Sequence, residues 1–395
     1  MKSYFKNANI VDVINSKILE GKSLIIEDGE IKKILDKDEI IEGKFEEIID
    51  LKSKYIMPGL IDCHVHVFSD GSGKINLFKE NIDPVLATAV AINNLETLLK
   101  SGVTYIRDLG SARGFDISLK ECVSLGIIKG PNIKCCGQFI TMTGGHMNMI
   151  GREADGIEEV RKATRESIKM GADIIKLAAS GGVITPRSDV NAYQFNEDEL
   201  RVAVIEGHKA NKKVATHAHS VQAIKNSILA GVDSIEHGSL IDDECIELMV
   251  KNKTYLVPTL KVGYSIVNGY ENGEKIVGEE EYKKEKGMYK NHGKNLEKAY
   301  KAGVKIALGT DSGVPGCIFG TTYQELLLLQ KCNVAVKDIL KIATINSAEL
   351  LDINDKYGVI AENKIADFLV LNENPFNKLE TIGEILAVYK NGKLV

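Results

Sequence analysis

The fold class that this sequence predicts is α/β: a (β/α)8 TIM barrel with a small β-sandwich-like domain built from both chain termini. Three observations point there. Eight short apolar runs alternate with amphipathic stretches through the middle of the chain. Gly102, Gly171, Gly231 and Gly303 each follow a helical stretch and precede an apolar run, where a left-handed cap is needed. Both chain ends read instead as short strands joined by turns.

Barrel strands are expected at 55–67, 104–109, 133–137, 173–178, 214–219, 234–237, 255–258 and 304–309. Helical patterns fall between them at 84–100, 157–170, 197–211, 221–229 and 242–251. The run leading into position 64 is apolar throughout, as a parallel strand covered on both faces requires. At the ends, strands are expected at 8–13, 23–27, 30–34, 45–50, 367–371 and 387–390, with turns at Glu27-Asp28-Gly29 and Asn391-Gly392. The β domain would thus comprise 1–56 and 353–395, and the barrel 57–352.

Composition excludes several function classes. A net charge of −5 gives no basic face for nucleic acid and no attraction to an anionic membrane. No apolar run reaches the roughly 18 residues that a spanning helix needs. The opening Met1-Lys2-Ser3-Tyr4-Phe5 lacks the apolar core of a signal peptide. Seven cysteines without a Cys-x-x-Cys pair fit a reducing cytoplasm better than a disulfide framework.

Two histidines separated by one residue, His64 and His66, close the first barrel strand. A strand repeats its facing every second residue, so both imidazoles project from one side and make half of a metal site. The carboxyl ends of barrel strands converge on one mouth, where catalysis occurs. Reading those ends in order adds Lys176 inside an apolar fourth strand, and His217 and His219 on the fifth. His237 follows on the sixth, and Asp311 after the eighth.

The order His-x-His, Lys, His, His, Asp resembles the amidohydrolase superfamily of binuclear metal hydrolases. Met57-Pro58-Gly59-Leu60-Ile61-Asp62, Thr143-Gly144-Gly145-His146 and Leu308-Gly309-Thr310-Asp311-Ser312-Gly313 look like its prolidase-type branch of Xaa-Pro and Xaa-Arg dipeptidases and carboxypeptidases. So do Ile175-Lys176-Leu177-Ala178-Ala179-Ser180-Gly181-Gly182-Val183 and the tail Lys364-Ile365-Ala366-Asp367 with Asn374-Pro375. The resemblance implies cleavage of an amide or peptide bond beside a free carboxylate, in dipeptides or N-acyl amino acids. It further implies that Lys176 is carboxylated by carbon dioxide or bicarbonate (N6-carboxylysine) and bridges two divalent ions, zinc foremost. Burial favours the neutral amine that this reaction needs, and the product is a carboxylate on a long stem.

On that resemblance His64, His66 and Asp311 hold one ion, and His217 and His237 hold the second. Asp311 then serves a metal-bridging hydroxide as general base and later as acid. His146, in the glycine-rich loop after the third strand, would stabilise the oxyanion or bind substrate. His219 shares the facing of His217 and would touch substrate. Arg187, in the loop after the fourth strand, could fork a substrate carboxylate, and Tyr264, after the seventh, would line the mouth. Two departures from the branch bear on specificity: the bulky run Met147-Asn148-Met149 after His146, and Leu240 where an aromatic residue can stand.

Other polar residues have plainer expected roles. Arg107 and Asp108 would pair with each other, and His208 and His292 would be exposed. The Lys/Glu run 278–290 would form a solvated helix or a mobile flap, not a binding patch. A cyclic amide hydrolase resembling imidazolonepropionase is the alternative activity, which Lys176 disfavours, and a non-catalytic member would be expected to lose ligands. The partner is a small-molecule amide or dipeptide, with no nucleic acid or membrane. A homo-oligomer is compatible with the sequence.

Overall fold

The computed structural model describes all residues except 1, 37, 38, 40–43, 76–80 and 275. Two compact units emerge: Met1–Ile61 with Thr97–Tyr105 and Gly320–Val395, and Asp62–Glu96 with Ile106–Phe319. The first opens with β1 (Lys2–Asp12), β2 (Lys17–Glu27), β3 (Glu30–Leu35), β4 (Glu47–Asp50) and β5 (Tyr55–Pro58). Asp28 and Gly29, between β2 and β3, have φ of 50° and 83°, the pair of positive values that a type I′ hairpin turn requires.

The barrel strands, whose carboxyl ends lie in the second unit, begin with β6 (Leu60–Val65), β7 (Val103–Asp108) and β8 (Asn132–Cys135). Two short pieces follow, β9 (Ile140–Thr141) and β10 (Arg152–Glu153). Then come β11 (Ile174–Ala178), β12 (Lys213–Ala218), β13 (Ser234–His237) and β14 (Tyr255–Val257). Between them run α1 (Pro84–Lys100), α2 (Phe115–Ser124), α3 (Gly156–Met170), α4 (Glu197–Lys209), α5 (Val221–Ala230) and α6 (Asp243–Asn252). After β14 come α7 (Leu260–Glu271) and α8 (Glu279–Ala302). β11 to β14 pair in parallel, each strand with the next. Gly171, Gly231 and Gly303 cap α3, α5 and α8 at φ of 102°, 95° and 87°, as their positions predict.

Two strand expectations need correction. The run 55–67 is not one strand: it breaks at Gly59 into β5 and β6, which join different sheets. A Cβ at Gly59 would lie 2.2 Å from Thr104 Oγ1, so only glycine fits where the chain changes sheet. The eighth stave, 304–309, carries no regular ladder. It closes the barrel through an isolated bridge between Leu256 and Ile306 and a 2.8 Å bond from Cys63 N–H to Leu308 C=O. Its Gly309 leaves room for His64, whose Cβ would lie 2.8 Å from an added methyl.

The chain ends with β15 (Phe368–Leu371), β16 (Ala387–Lys390) and β17 (Lys393–Leu394). The β-sandwich-like unit expected from both termini takes the form of one eight-stranded mixed sheet, ordered β17-β16-β15-β5-β1-β2-β3 with β4 on β1. Antiparallel pairing of β5 with β15, Ile56 opposite Val370, joins the amino-terminal strands to the carboxyl-terminal ones. Phe5, Ile10, Leu24, Ile56, Phe368 and Tyr389 form its core, with the Phe368 and Tyr389 rings stacked at 4.8 Å.

Candidate active site

The carboxyl ends of β6, β11, β12 and β13, with the turn after the eighth stave, bring the predicted side chains to one cavity. His64, His66, His146, Lys176, His217, His219, His237 and Asp311 all line it. The cavity measures about 670 Å³ counting its open mouth, within the range of small-molecule sites. Two clusters meet in it: His64 with His66 and Asp311, and His217 with His219 and His237, the nitrogen and oxygen atoms within each lying inside 4.8 Å. Asp311 Oδ1 is 3.3 Å from His64 Nε2 and 3.4 Å from His66 Nε2. His237 and Asp311 have φ of 69° and 58°, strained values of the kind that persist where surrounding structure enforces them.

Hydrogen bonds fix each imidazole by the nitrogen that faces away from the cavity. His64 Nδ1–H donates to Glu236 Oε2 at 2.8 Å, and His66 Nδ1–H to Gly110 C=O at 3.1 Å. His217 is turned the other way, with Nε2–H donating to Gly181 C=O at 3.1 Å, so its free lone pair is on Nδ1. His237 Nδ1 lies 2.7 Å from Thr259 Oγ1, and His219 Nδ1 lies 3.0 Å from Ser239 Oγ. Outer partners of this kind set tautomer and ring direction in metal-binding histidines. Burial pushes His64 down to about 4 and His219 to about 3, so both rings are neutral at pH 7. Lys176 is likewise lowered by burial, to about 8.

The carboxylate beneath His64 was not anticipated. Glu236 shares its facing with Ser234, two residues before it on β13, whose Oγ–H donates to Glu236 Oε1 at 2.6 Å, and it lies one residue below His237 at the mouth. Arg107 donates to Glu236 Oε1 at 2.7 Å, to Ser234 Oγ at 3.0 Å and to Cys63 C=O. Burial alone would raise the Glu236 carboxyl, but Arg107 and His64 more than offset it and hold it at about 2. Arg107 therefore does not pair with Asp108, as expected from their adjacency, because neighbours in a strand point to opposite faces. Asp108 accepts instead from the backbone N–H groups of Val67, at 2.8 Å, and Gly110, at 3.0 Å.

His146 reaches the cavity from the loop after β9. Its Nδ1 lies 2.9 Å from Thr185 Oγ1, and its ring stacks on His217 at 4.3 Å. A Cβ at Gly182 would lie 2.2 Å from His146 Cε1, so this glycine makes room for the ring. Arg187 and Tyr264 are not brought in: Arg187 is exposed, Tyr264 is half-buried on α7, and neither is among the lining residues. Their helix and loop do contribute Val183, Ile184, Val262 and Ile266 to an apolar wall.

α8 departs most from expectation. Its buried residues Glu285, Met288, His292, Leu296 and Ala299 recur at three- and four-residue spacing, the pattern of a helix face packed on a core. His292 is thus buried, with Nε2–H donating to His237 C=O at 3.0 Å, whereas His208 is exposed as expected and bonds Asp233 at 2.9 Å. Glu285 lines the cavity. The stripe was readable from Met288, Leu296 and Ala299, but charge at 285 and 292 masked it.

A family profile described as amidohydrolase family matches residues 55–395. The ochratoxinase of Aspergillus niger is 32% identical over 373 residues, covering 86% of this chain and 75% of its own. Among solved structures, a Xaa-Pro dipeptidase with bound methionine superposes with a TM-score of 0.92 at 30% identity, over 100% of both chains. A prolidase complexed with N-methylphosphonate-L-proline gives 0.90 at 30% identity, covering 100% of this chain and 99% of that one. The chain belongs to the amidohydrolase family, an amidohydrolase-type hydrolase whose structural neighbours are prolidase-type.

Proposed function

We propose that this protein hydrolyses an amide bond beside a free carboxylate, in dipeptides or N-acyl amino acids, with two divalent ions and a carboxylated Lys176. One observation carries the reading: Lys176 Nζ and Asp311 Oδ1 are buried in the cavity wall and make no hydrogen bond. Leaving such groups unmatched is costly, and both are relieved by cations and by conversion of the amine to a carbamate. The donor set fits hard or borderline divalent ions, zinc, manganese or cobalt.

His64, His66 and Asp311 would hold one ion and His217 and His237 the other, with Lys176 shared. Bound there, such ions supply Lewis acidity, which makes a water acidic near neutral pH and polarises an amide carbonyl. Carboxylation joins Lys176 Nζ to the carbon of carbon dioxide with loss of one proton, and the lowered amine pKa raises the neutral fraction that can react. Asp311 takes the proton of the attacking water on a carboxylate oxygen and delivers it to the departing nitrogen. His146 donates to the oxygen on which charge develops, and His219 contacts the substrate beside it.

Metal analysis with a dipeptide screen in bicarbonate tests the reading. The wild type is expected to hold two ions and give a carbamate signal with 13C-bicarbonate. Lys176→Ala should lose that signal, one ion and turnover. A single ion in the wild type would favour the imidazolonepropionase-like alternative. The seven free cysteines fit the cytoplasm as its compartment. No helix among the described residues is long and apolar enough to cross a membrane.

A further inference from the structure

The first turn of α7 carries Lys261, 1% exposed, between the buried Leu260 and Val262. A cation is disfavoured there twice, by burial and by the positive end of the helix dipole, so its partners have to compensate. Its Nζ donates to Ser312 Oγ at 2.9 Å and to Ile318 C=O at 2.6 Å. Ser312 Oγ lies 2.8 Å from Thr310 Oγ1, which lies 2.7 Å from Asp62 Oδ2. A carboxylate only accepts, so Thr310 gives its hydroxyl proton to Asp62 and must accept from Ser312, which accepts from Lys261. At 3.5 Å, Ile318 C=O is the weaker acceptor for the Ser312 proton. Asp62 Oδ1 also accepts from the N–H groups of His64, at 3.2 Å, and Thr310, at 3.1 Å.

We infer that Lys261 is a positioning residue for the His64, His66 and Asp311 cluster, acting through Ser312, Thr310 and Asp62. Its value to the protein rests on the hydrolase reading proposed above, in which that cluster holds an ion. Asp311 stands between the two hydroxyl residues with φ of 58°, a strained value that persists only where its surroundings enforce it. The relay grips the residue on either side of it. At the far end Asp62 holds the N–H of His64, so the turn carrying Asp311 and the strand end carrying the histidines are tied to one carboxylate. Backbone bonds from Asp311 N–H to His64 C=O and from His66 N–H to Ser312 C=O, both 2.8 Å, set the spacing of the two segments. They leave the direction of the Asp311 carboxylate to the turn. Freed of the relay, the turn relaxes and carries Oδ1 away from His64 Nε2 and His66 Nε2, which lie 3.3 and 3.4 Å from it.

Lys261→Met keeps the stem and removes the ammonium. Amide hydrogen exchange of the metal-free chain, read by mass spectrometry, should quicken in 62–66 and 308–314 and stay at the wild-type rate in 174–178 and 213–218. Titration of zinc-loaded protein with a chromogenic chelator should then show one ion held about tenfold or more weakly and the other unchanged. With metal saturating, kcat should fall while KM holds, because Asp311 is displaced and the rest of the cavity is not. Thr310→Val breaks the same relay without touching Lys261 and should reproduce all three effects, whereas Thr310→Ser keeps the hydroxyl and should restore them. That pair decides the matter if Lys261→Met does not fold. Wild-type exchange in both Lys261→Met and Thr310→Val overturns the proposal. So does faster exchange throughout the barrel with equal weakening of both ions, which would make Lys261 a general core residue. A wild type that binds no ion removes the hydrolase reading, and the exchange pattern then decides the relay by itself.

Discussion

At the scale of single residues, Glu236 couples the barrel interior to the mouth. It sits between Arg107 and His64, fully buried, and holds the His64 ring so that Nε2 faces Asp311. Glu236→Gln keeps the shape and removes the charge. Metal affinity should fall about 10–100-fold, as for other outer partners of ligating histidines. The Arg107 guanidinium is then left buried without its counter-charge, at a cost of about 3–5 kcal/mol. Competition with a chromogenic chelator measures the first effect and urea unfolding the second. Unchanged affinity would mean that Glu236 serves only the core. Neither consequence was legible beforehand, because a Glu beside a candidate ligand reads equally as solvated.

Among elements, glycines mark the places where backbone or ring must come close. Gly182 and His146 form one such pair, since a Cβ at 182 would lie 2.2 Å from the ring. Gly182→Ala should displace His146 and lower kcat at least about tenfold while leaving the bound metal count at its wild-type value. A proportional loss of metal would show that the loop supports the clusters instead. α8 makes the complementary case. Its charged residues outnumber the apolar ones, so composition reads as a solvated helix, yet Met288, Leu296 and Ala299 pin one face down and bury Glu285 and His292 with it. Which face of a helix packs is decided by a few apolar residues, and the polar ones between them follow.

For the whole molecule, the buried titratable groups set opposing pH dependences in metal-free protein. His64, His146 and His219 have folded-state pKa values of about 4, 3 and 3, below the 6.5 of free imidazole. Each contributes stability present above about 6.5 and lost as pH falls towards its folded value. Glu285 has the opposite sign: raised from 4.5 to about 7, it contributes stability below 4.5 that is lost as pH rises through 7. Glu285→Gln removes that compensation, so its stability should fall more steeply than the wild type's between pH 7 and 4.5. Urea titrations in chelator test this, and parallel pH curves would sink it. Restoring divalent ions at about a thousandfold over their Kd should add about 4 kcal/mol for each ion bound.

From sequence alone the strand-end constellation could be read, His64, His66, Lys176, His217, His237 and Asp311, together with the pairing of the two chain ends. Strand periodicity fixes facing, parallel strands align their carboxyl ends, and a polar residue inside an apolar run is conspicuous. Tertiary structure alone decided the break at Gly59, the Arg107–Glu236 pair, the absence of Arg187 and Tyr264 from the cavity lining, and the burial of Glu285 and His292. Those depend on contacts between residues far apart in the chain. A charged side chain on a helix or loop carries no local mark of whether it meets solvent or a cavity wall.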